Sequence, residues 1–355
     1  MIYIVTFPME TGGPETAHQL GAELIKLGEE AAMFYYSPGK SDASKRENPV
    51  PPSFRKYGVP VADRIDDSAS NVVLIPEAAI QFVRKIESAQ VCVMWLSLGN
   101  YLKVLDQYSD RGKYADGVLA DHHLPRILKP AVMLRSYRFV DRGGFGYDFD
   151  NRHNDLHAYN CEYVRSYLSD HGISDDAMTY LCGPISQAFS TTHHNGLSKE
   201  DIVAYNPKKG YEFTQKVISY AEQHDFSGEF IPIQGMTPTE VSALLGRAKV
   251  YMDFGDFPGP ERIPREAVTM GCNILTSRNG AAGNDADVPI DDSLKFETTD
   301  QNIHSIVDKL DQLLSHYEVY YHLYDGYRDK VQAQITDFQA EAMSLLRLIQ
   351  SRLSA

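Results

Sequence analysis

At 355 residues the chain exceeds what one hydrophobic core ordinarily serves, so two domains are expected. Apolar residues make up 43% and charged residues 23%, enough apolar material for a soluble globular protein with sizeable cores. The formal net charge of −14 argues against nucleic-acid binding, which needs a basic surface, and no apolar run approaches the roughly 20 residues that span a bilayer. A membrane is therefore at most a peripheral partner, and the expected location is cytoplasmic, at most peripheral to the inner face of the membrane.

In chain order, Ile2 to Phe7 reads as a buried strand, too short and without the basic leader of a signal peptide. Gly12-Gly13-Pro14-Glu15 follows, then a helical pattern (Leu20, Leu24, Leu27) closed by Gly28, and a second strand from Ala31 to Tyr36. This strand, Gly-rich loop, helix, strand order opens a parallel α/β domain whose loop lies where open sheets bind ligands; the spacing is not Gly-x-Gly-x-x-Gly. Pro38 to Asp67 is expected as a long loop. Strands are expected over Asn71 to Pro76 and Gln90 to Leu96, around a helix from Ala78 to Glu87, with Pro76-Glu77 and Ser97 to Asn100 at the strand ends. Between Tyr108 and Asn154 the pattern weakens; Gly117 to Asp121 is a short strand candidate ending in Asp121-His122-His123, and Arg142 to Asp148 reads as a loop. Strand Leu156 to Asn160, helix Glu162 to His171 and strand Met178 to Cys182 complete a first domain placed at 1–190.

Thr191 to Lys199, with His193-His194, has the composition of a linker. The second series runs strand Asp201 to Tyr205, loop Asn206 to Gly210, helix Tyr211 to His224, strand Glu229 to Ile233, helix Thr237 to Arg247 and strand Val250 to Phe254. A Gly/Pro loop (255–260), a helix from Pro264 to Met270 and a strand from Asn273 to Thr276 close a domain placed at 191–300. Residues 301–355 are helical, with Ile306, Leu310, Leu313 and Leu314 on one face and a Tyr-rich run (317–327) suited to helix packing. They are expected to pack on the domains, and an oligomer interface is left open. The four cysteines lie far apart and read as buried thiols of a reducing compartment.

The chemistry concentrates in Tyr251 to Ser277. Pro264 suits a first helical turn and Gly271 a helix end, so the loop before them presents unpaired N–H groups and a positive dipole end, an anion site. Arg262 and Arg265 offer donors to phosphate, while Glu261 and Glu266 offer acceptors to hydroxyls. The plain alternative for Glu266 is a glutamate complementing the helix dipole, and for Lys208-Lys209 a solvated loop. Asp253, Asp256 and the acids of 285–292 read as solvated, and no third ligand accompanies Asp121-His122-His123, so no metal is expected.

Three pieces together resemble the GT-B glycosyltransferases, in particular the large retaining family 4: Gly12-Gly13-Pro14-Glu15, Tyr205-Asn206-Pro207-Lys208-Lys209-Gly210, and the stretch ending in Glu266. The resemblance implies an α/β protein of two Rossmann-like domains facing across a cleft with a helical C-terminal tail. It implies transfer of a sugar from a nucleotide-diphosphate donor to a glycan or polysaccharide acceptor, with retention and no cofactor. It also implies that Gly12, Gly13, Asn206, Lys208, Lys209, Arg262, Arg265 and Glu266 bind the donor, with Glu266 on the ribose. The chain departs from the pattern in three places. Pro258 holds the place of the family's first glutamate, Arg262 that of an apolar residue, and Ala204 that of an arginine. Glu261 is then the substitute for the glutamate and Arg262 for the guanidinium, which with His122, as acceptor ligand or base, make the expected catalytic set. A non-catalytic nucleotide- or glycan-binding protein of the same fold, and a two-Rossmann sugar-nucleotide epimerase, are the alternatives.

Overall fold

The computed structural model describes residues 1–36, 49–140, 146–189 and 198–353. His193-His194 and most of the expected Arg142 to Asp148 loop and Thr191 to Lys199 linker lie outside the described residues, as does the first part of the Pro38 to Asp67 loop. The chain divides into two compact units: residues 1–160, 164–181 and 339–355 form the first, and residues 161–163 and 182–338 the second.

The first unit is built on β1 (Ile2–Thr6), α1 (Gly12–Lys26), β2 (Ala31–Tyr35), β3 (Val72–Pro76) and β4 (Gln90–Trp95). Three helices follow, α2 (Leu98–Tyr108), α3 (Arg111–Asp121) and α4 (Lys129–Val140), and then β5 (Leu156–Tyr159), α5 (Glu162–Asp170) and β6 (Met178–Tyr180). The six strands pair in the order β2-β1-β3-β4-β5-β6, all parallel, with Ile2 opposite both Ala31 and Val72. β1, β2 and β3 are buried at every position, which explains their unbroken apolar runs: a parallel sheet covered by helices has no solvent face. Trp95 is fully buried at the end of β4 and donates from Nε1 to His157 Nδ1 at 3.0 Å.

Two expectations are corrected here. Gly117 to Asp121 is not a strand but the last part of α3. The Asp110 carboxylate caps that helix by accepting from Gly112 N and Lys113 N, Ala115 and Leu119 are its buried positions one turn apart, and His123 ends it at φ 51°. The segment after β3 forms a kinked 3-10 helix (Glu77–Lys85), with Ala79 off helical geometry.

The second unit holds β7 (Glu200–Tyr205), α6 (Tyr211–Glu222), β8 (Glu229–Pro232), α7 (Pro238–Arg247), β9 (Ala248–Asp253), α8 (Arg262–Thr269), β10 (Asn273–Ser277) and β11 (Lys295–Phe296). Its parallel sheet is ordered β11-β10-β9-β7-β8. α7 starts on a capping box, Thr237 and Glu240 each accepting from the other's backbone N–H. Helices α9 (Ile303–Ser315), α10 (Tyr317–Tyr321) and α11 (Asp325–Thr336) cover this sheet. α9 buries Ile306, Val307, Leu310, Leu313 and Leu314 against α6 and β9. The Tyr-rich run packs as expected, with Tyr317 donating to Gly271 O at 2.7 Å and Tyr324 to Ile274 O at 2.8 Å. The last helix, α12 (Phe338–Leu353), belongs almost entirely to the first unit. All four cysteines are buried free thiols, and among the described helices none is long and apolar enough to cross a membrane.

Candidate functional site

In the second sheet the chain leaves β7 for β8 on one side and returns to β9 on the other. The carboxyl ends of β7 and β9 therefore flank a reversal point, the place where open α/β sheets leave a crevice. Two loops meet there, Asn206 to Gly210 before α6 and Phe254 to Glu261 before α8. Their approach is set by glycine. Gly210 has φ 59°, and a Cβ there would stand 2.5 Å from the Phe254 carbonyl oxygen; a Cβ on Gly255 would collide with Lys209 Cβ and the Asp253 carboxylate. Asn206 is buried and its Oδ1 accepts from Lys208 N at 3.0 Å, which turns the lysines out of the strand direction.

Lys209 reaches across to the second loop, where its ammonium donates to Glu261 Oε1 at 2.6 Å with both side chains still partly open to solvent. Glu261 immediately precedes α8. Arg262, the first residue of α8, is half-buried, and Glu266, one turn further on, is buried. Arg265 is buried and engaged: Nε donates to Glu261 O at 3.2 Å, and Nη1 to Gly183 O at 3.0 Å and Gln334 Oε1 at 3.1 Å. The structure thus gives Arg265 the work of tying α8 to α11. Lys208 is exposed, at the tip of the loop. Asn206, Lys208, Lys209, Glu261, Arg262, Arg265 and Glu266 come together from two loops and one helix start.

Beneath them sits a residue that reads as a solvated acid in the sequence. Asp253 is 2% exposed and accepts from Gly255 N at 2.9 Å and Tyr251 Oη at 2.8 Å. Burial pushes its carboxyl up to about 6, against the lowering effect of those two donors. Tyr251 is held protonated first by burial, then by Asp253, Glu261 and Glu266. Ser277 completes the bracket, donating to Gly255 O at 2.6 Å. A signal existed in Asp-x-Gly at a strand end, because an aspartate there bonds the backbone N–H two residues on. Other acids read as solvated are also engaged: Asp285 pairs with the buried Lys295 at 2.6 Å, and Asp287 accepts from Glu162 N and Tyr163 N. Among the described residues no group of histidine, cysteine and carboxylate side chains could hold a metal ion.

The first unit has its own reversal point between β1 and β3. Gly12 and Gly13 stand there, in the first turn of α1 rather than in a preceding loop. Glu77, just past β3, is buried, accepts from Leu96 N at 2.8 Å, and is pushed up to about 7 by burial. His18 Nδ1 lies 2.7 Å from Pro14 O and must donate, so Nε2 accepts from Tyr35 Oη, also at 2.7 Å; burial lowers its pKa and keeps the ring neutral. His122 is exposed after α3, not at a strand end.

No family model matches the chain, and no curated protein matches it in sequence. Solved structures match it in fold. Sucrose-phosphate synthase from Thermosynechococcus elongatus matches with 99% of each chain covered, 13% identity and a TM-score of 0.58. WaaG, a glycosyltransferase involved in lipopolysaccharide biosynthesis, matches over 98% of this chain and 99% of its own at 11% identity and TM-score 0.54. Anabaena Alr3699/HepE, in complex with UDP-glucose, matches over the same shares at 10% identity and TM-score 0.54. The chain therefore has the GT-B fold of glycosyltransferases: two parallel α/β units and a set of C-terminal helices.

Proposed function

We propose that the chain is a glycosyltransferase that moves a sugar from a nucleoside-diphosphate donor to a glycan or polysaccharide acceptor with retention. The observation that carries the reading is the Lys209–Glu261 pair at the β7/β9 reversal point, beside the start of α8. Departure of a nucleoside diphosphate concentrates negative charge on the leaving phosphate, and an enzyme gains most by holding donors there in advance. Lys209, Arg262 and the first N–H groups of α8 are assigned that work, with Lys208 at the outer edge. Glu266 is assigned the ribose hydroxyls and Glu261 the sugar hydroxyls. Glu261 holds the lysine in the free protein, so the incoming diphosphate takes over the ammonium and releases the carboxylate toward the sugar. Asn206 and Arg265 position the two loops. Gly12 and Gly13, in the first turn of α1, keep the donor-binding role that the resemblance implies. With front-face attack the departing phosphate accepts the acceptor's proton, so no side-chain base is needed.

The likeness to the HepE complex makes UDP the first nucleotide to try. Thermal unfolding with UDP, GDP, ADP, CMP or no ligand, repeated on Lys209→Ala and Glu266→Ala, tests the assignment, because a ligand of the folded state raises the midpoint by mass action. A shift with one diphosphate that is lost in both variants supports it, and no shift with any nucleotide removes it. One observation favours a second, non-catalytic reading: Pro258, buried, stands where the family's first glutamate belongs. Slow release of free sugar from a nucleotide sugar built on the diphosphate that gives the shift supports transfer, whereas binding without turnover supports the second reading.

A further inference from the structure

One carboxylate at the β7/β9 reversal point has no cation of its own. Asp253 is buried at the end of β9, and both its oxygens are held by neutral donors, Oδ1 by Gly255 N and Oδ2 by Tyr251 Oη. The Lys209 ammonium is bonded to Glu261 Oε1 instead. A buried carboxylate that lacks a cationic partner is costly to ionise, and burial is accordingly what carries this carboxyl up to about 6.

The loop that Asp253 holds is the support on which Lys209 rests. A Cβ on Gly255 would collide with both Lys209 Cβ and Asp253 Oδ1, so the three residues are in close contact. Ser277 holds Gly255 from the other side through its carbonyl oxygen. The groups acting on the Asp253 carboxyl are Tyr251 on its own strand, Glu261 at the start of α8, which opposes ionisation, and Lys209 from the β7 loop, which favours it. Glu266 of α8 acts on Tyr251, and Asp256, on the same loop as Gly255, acts on Tyr163. β10, which places Thr276 opposite Asp253, brings no titratable side chain.

We infer, resting on the donor-site reading above, that Asp253 is a positioning residue that holds the Gly255 loop under Lys209 and takes up a proton when a nucleoside diphosphate binds. In the free protein the Lys209 charge offsets Glu261 directly and Asp253 at longer range. An arriving diphosphate engages that ammonium and adds its own negative charge, which leaves both carboxylates beside an anion. Glu261 is still in contact with water, whereas Asp253 is not, so Asp253 is the one that protonates. A proton from solvent on Oδ2 turns that oxygen from acceptor to donor toward Tyr251 Oη. Oδ1 keeps its bond from Gly255 N, and the loop stays in place under the lysine.

Titration calorimetry of the full chain with UDP, GDP and ADP at pH 6 and pH 8, on the parent and on Asp253→Asn, tests this. The amide keeps an acceptor for Gly255 N and offers a donor to Tyr251 Oη, so it copies the protonated carboxyl. For the diphosphate that binds, Asp253→Asn should match the parent within about twofold at pH 6 and bind about tenfold tighter at pH 8. The nucleotide's own titration cancels in that ratio. A residue that only holds the loop would change affinity by one factor at both pH values, and that result overturns the inference. Tyr251→Phe serves as the second variant, and suffices where Asp253→Asn does not fold. It removes a donor that favours the ionised carboxyl, so the loss of affinity with rising pH should move to higher pH, and a profile that coincides with the parent's overturns the inference as well. Binding with a ratio independent of pH leaves the donor-site reading standing, whereas no binding of any of the three diphosphates removes that reading and this inference together.

Discussion

The carboxyl of Asp253 is held by two donors in a place water does not reach, and its protonation is set by the balance between them and burial. With burial winning, the folded-state value lies near 6, above the ordinary 3.8. The stabilising contribution is then complete below about pH 4, where both states carry the proton, and declines as pH rises through 6, because the folded chain must ionise a buried acid. A rise of that size bounds the loss at about 3 kcal/mol. Asp253→Asn keeps an oxygen for Gly255 N and has no charge to desolvate, so urea midpoints at pH 4 and pH 7 should show the variant gaining on the parent as pH rises. An equal difference at both pH values would mean that the carboxyl titrates normally. The same residue marks a limit of sequence reading at this scale. The cluster Glu261, Arg262, Arg265, Glu266 is visible as charges bracketing a proline in a first turn. Asp253 looks like any loop acid until its two donors are placed, and nothing local in the sequence tells that Arg265 spends its guanidinium on Gly183 O and Gln334.

At the scale of elements, the β7 and β9 loops approach so closely that neither Gly210 nor Gly255 has room for a methyl group. Gly210→Ala would place a Cβ against the Phe254 carbonyl in a left-handed backbone, which should cost on the order of 1–3 kcal/mol and move Lys209 off Glu261. Loss of nucleotide-dependent stabilisation out of proportion to the drop in midpoint is the expected signature, and an unchanged nucleotide response would mean that the loops give way without consequence. A second joint lies under α7, β9 and α8, where the Lys199 ammonium donates to the carbonyls of Leu245, Ala248 and Met270 at 3.0, 2.7 and 2.8 Å. Lys199→Met fills the same volume and leaves those acceptors short of a donor. A fall in urea stability of about 2 kcal/mol is expected, and no fall would show that Cys272, which donates to two of the same carbonyls, suffices. Legibility differs between elements for a physical reason. The parallel strands announce themselves because burial on both faces demands unbroken apolar runs. α3 does not, because it buries little more than Ala115 and Leu119, and its Gly-Val-Leu run has strand propensity that the Asp110 cap and the neighbouring helices override.

For the whole molecule, the path of the chain matters more than the count of its elements. A reading from composition treats 301–355 as one tail, yet α9 to α11 pack within the second unit while residues 339–355 lie in the first. Periodicity gives each helix an apolar face but does not say which sheet that face covers, so this division is not readable from sequence. It has a measurable consequence. The single tryptophan, Trp95, is fully buried in the first unit among Tyr101, Tyr147 and Phe149, and its fluorescence therefore reports that unit. Leu345, on α12, is fully buried, and Leu345→Ala removes about 2–5 kcal/mol of burial and packing. The substitution lies far beyond the reporter in the sequence, yet it should lower the midpoint of the Trp95 transition in urea by an amount consistent with that cost. Leu353→Ala, on the same helix but 45% exposed, should stay within about 0.5 kcal/mol of the parent. If the Trp95 midpoint ignores Leu345→Ala while the far-UV signal falls, α12 stabilises something other than the first unit, and the division of the chain must be redrawn with the last helix kept beside α11.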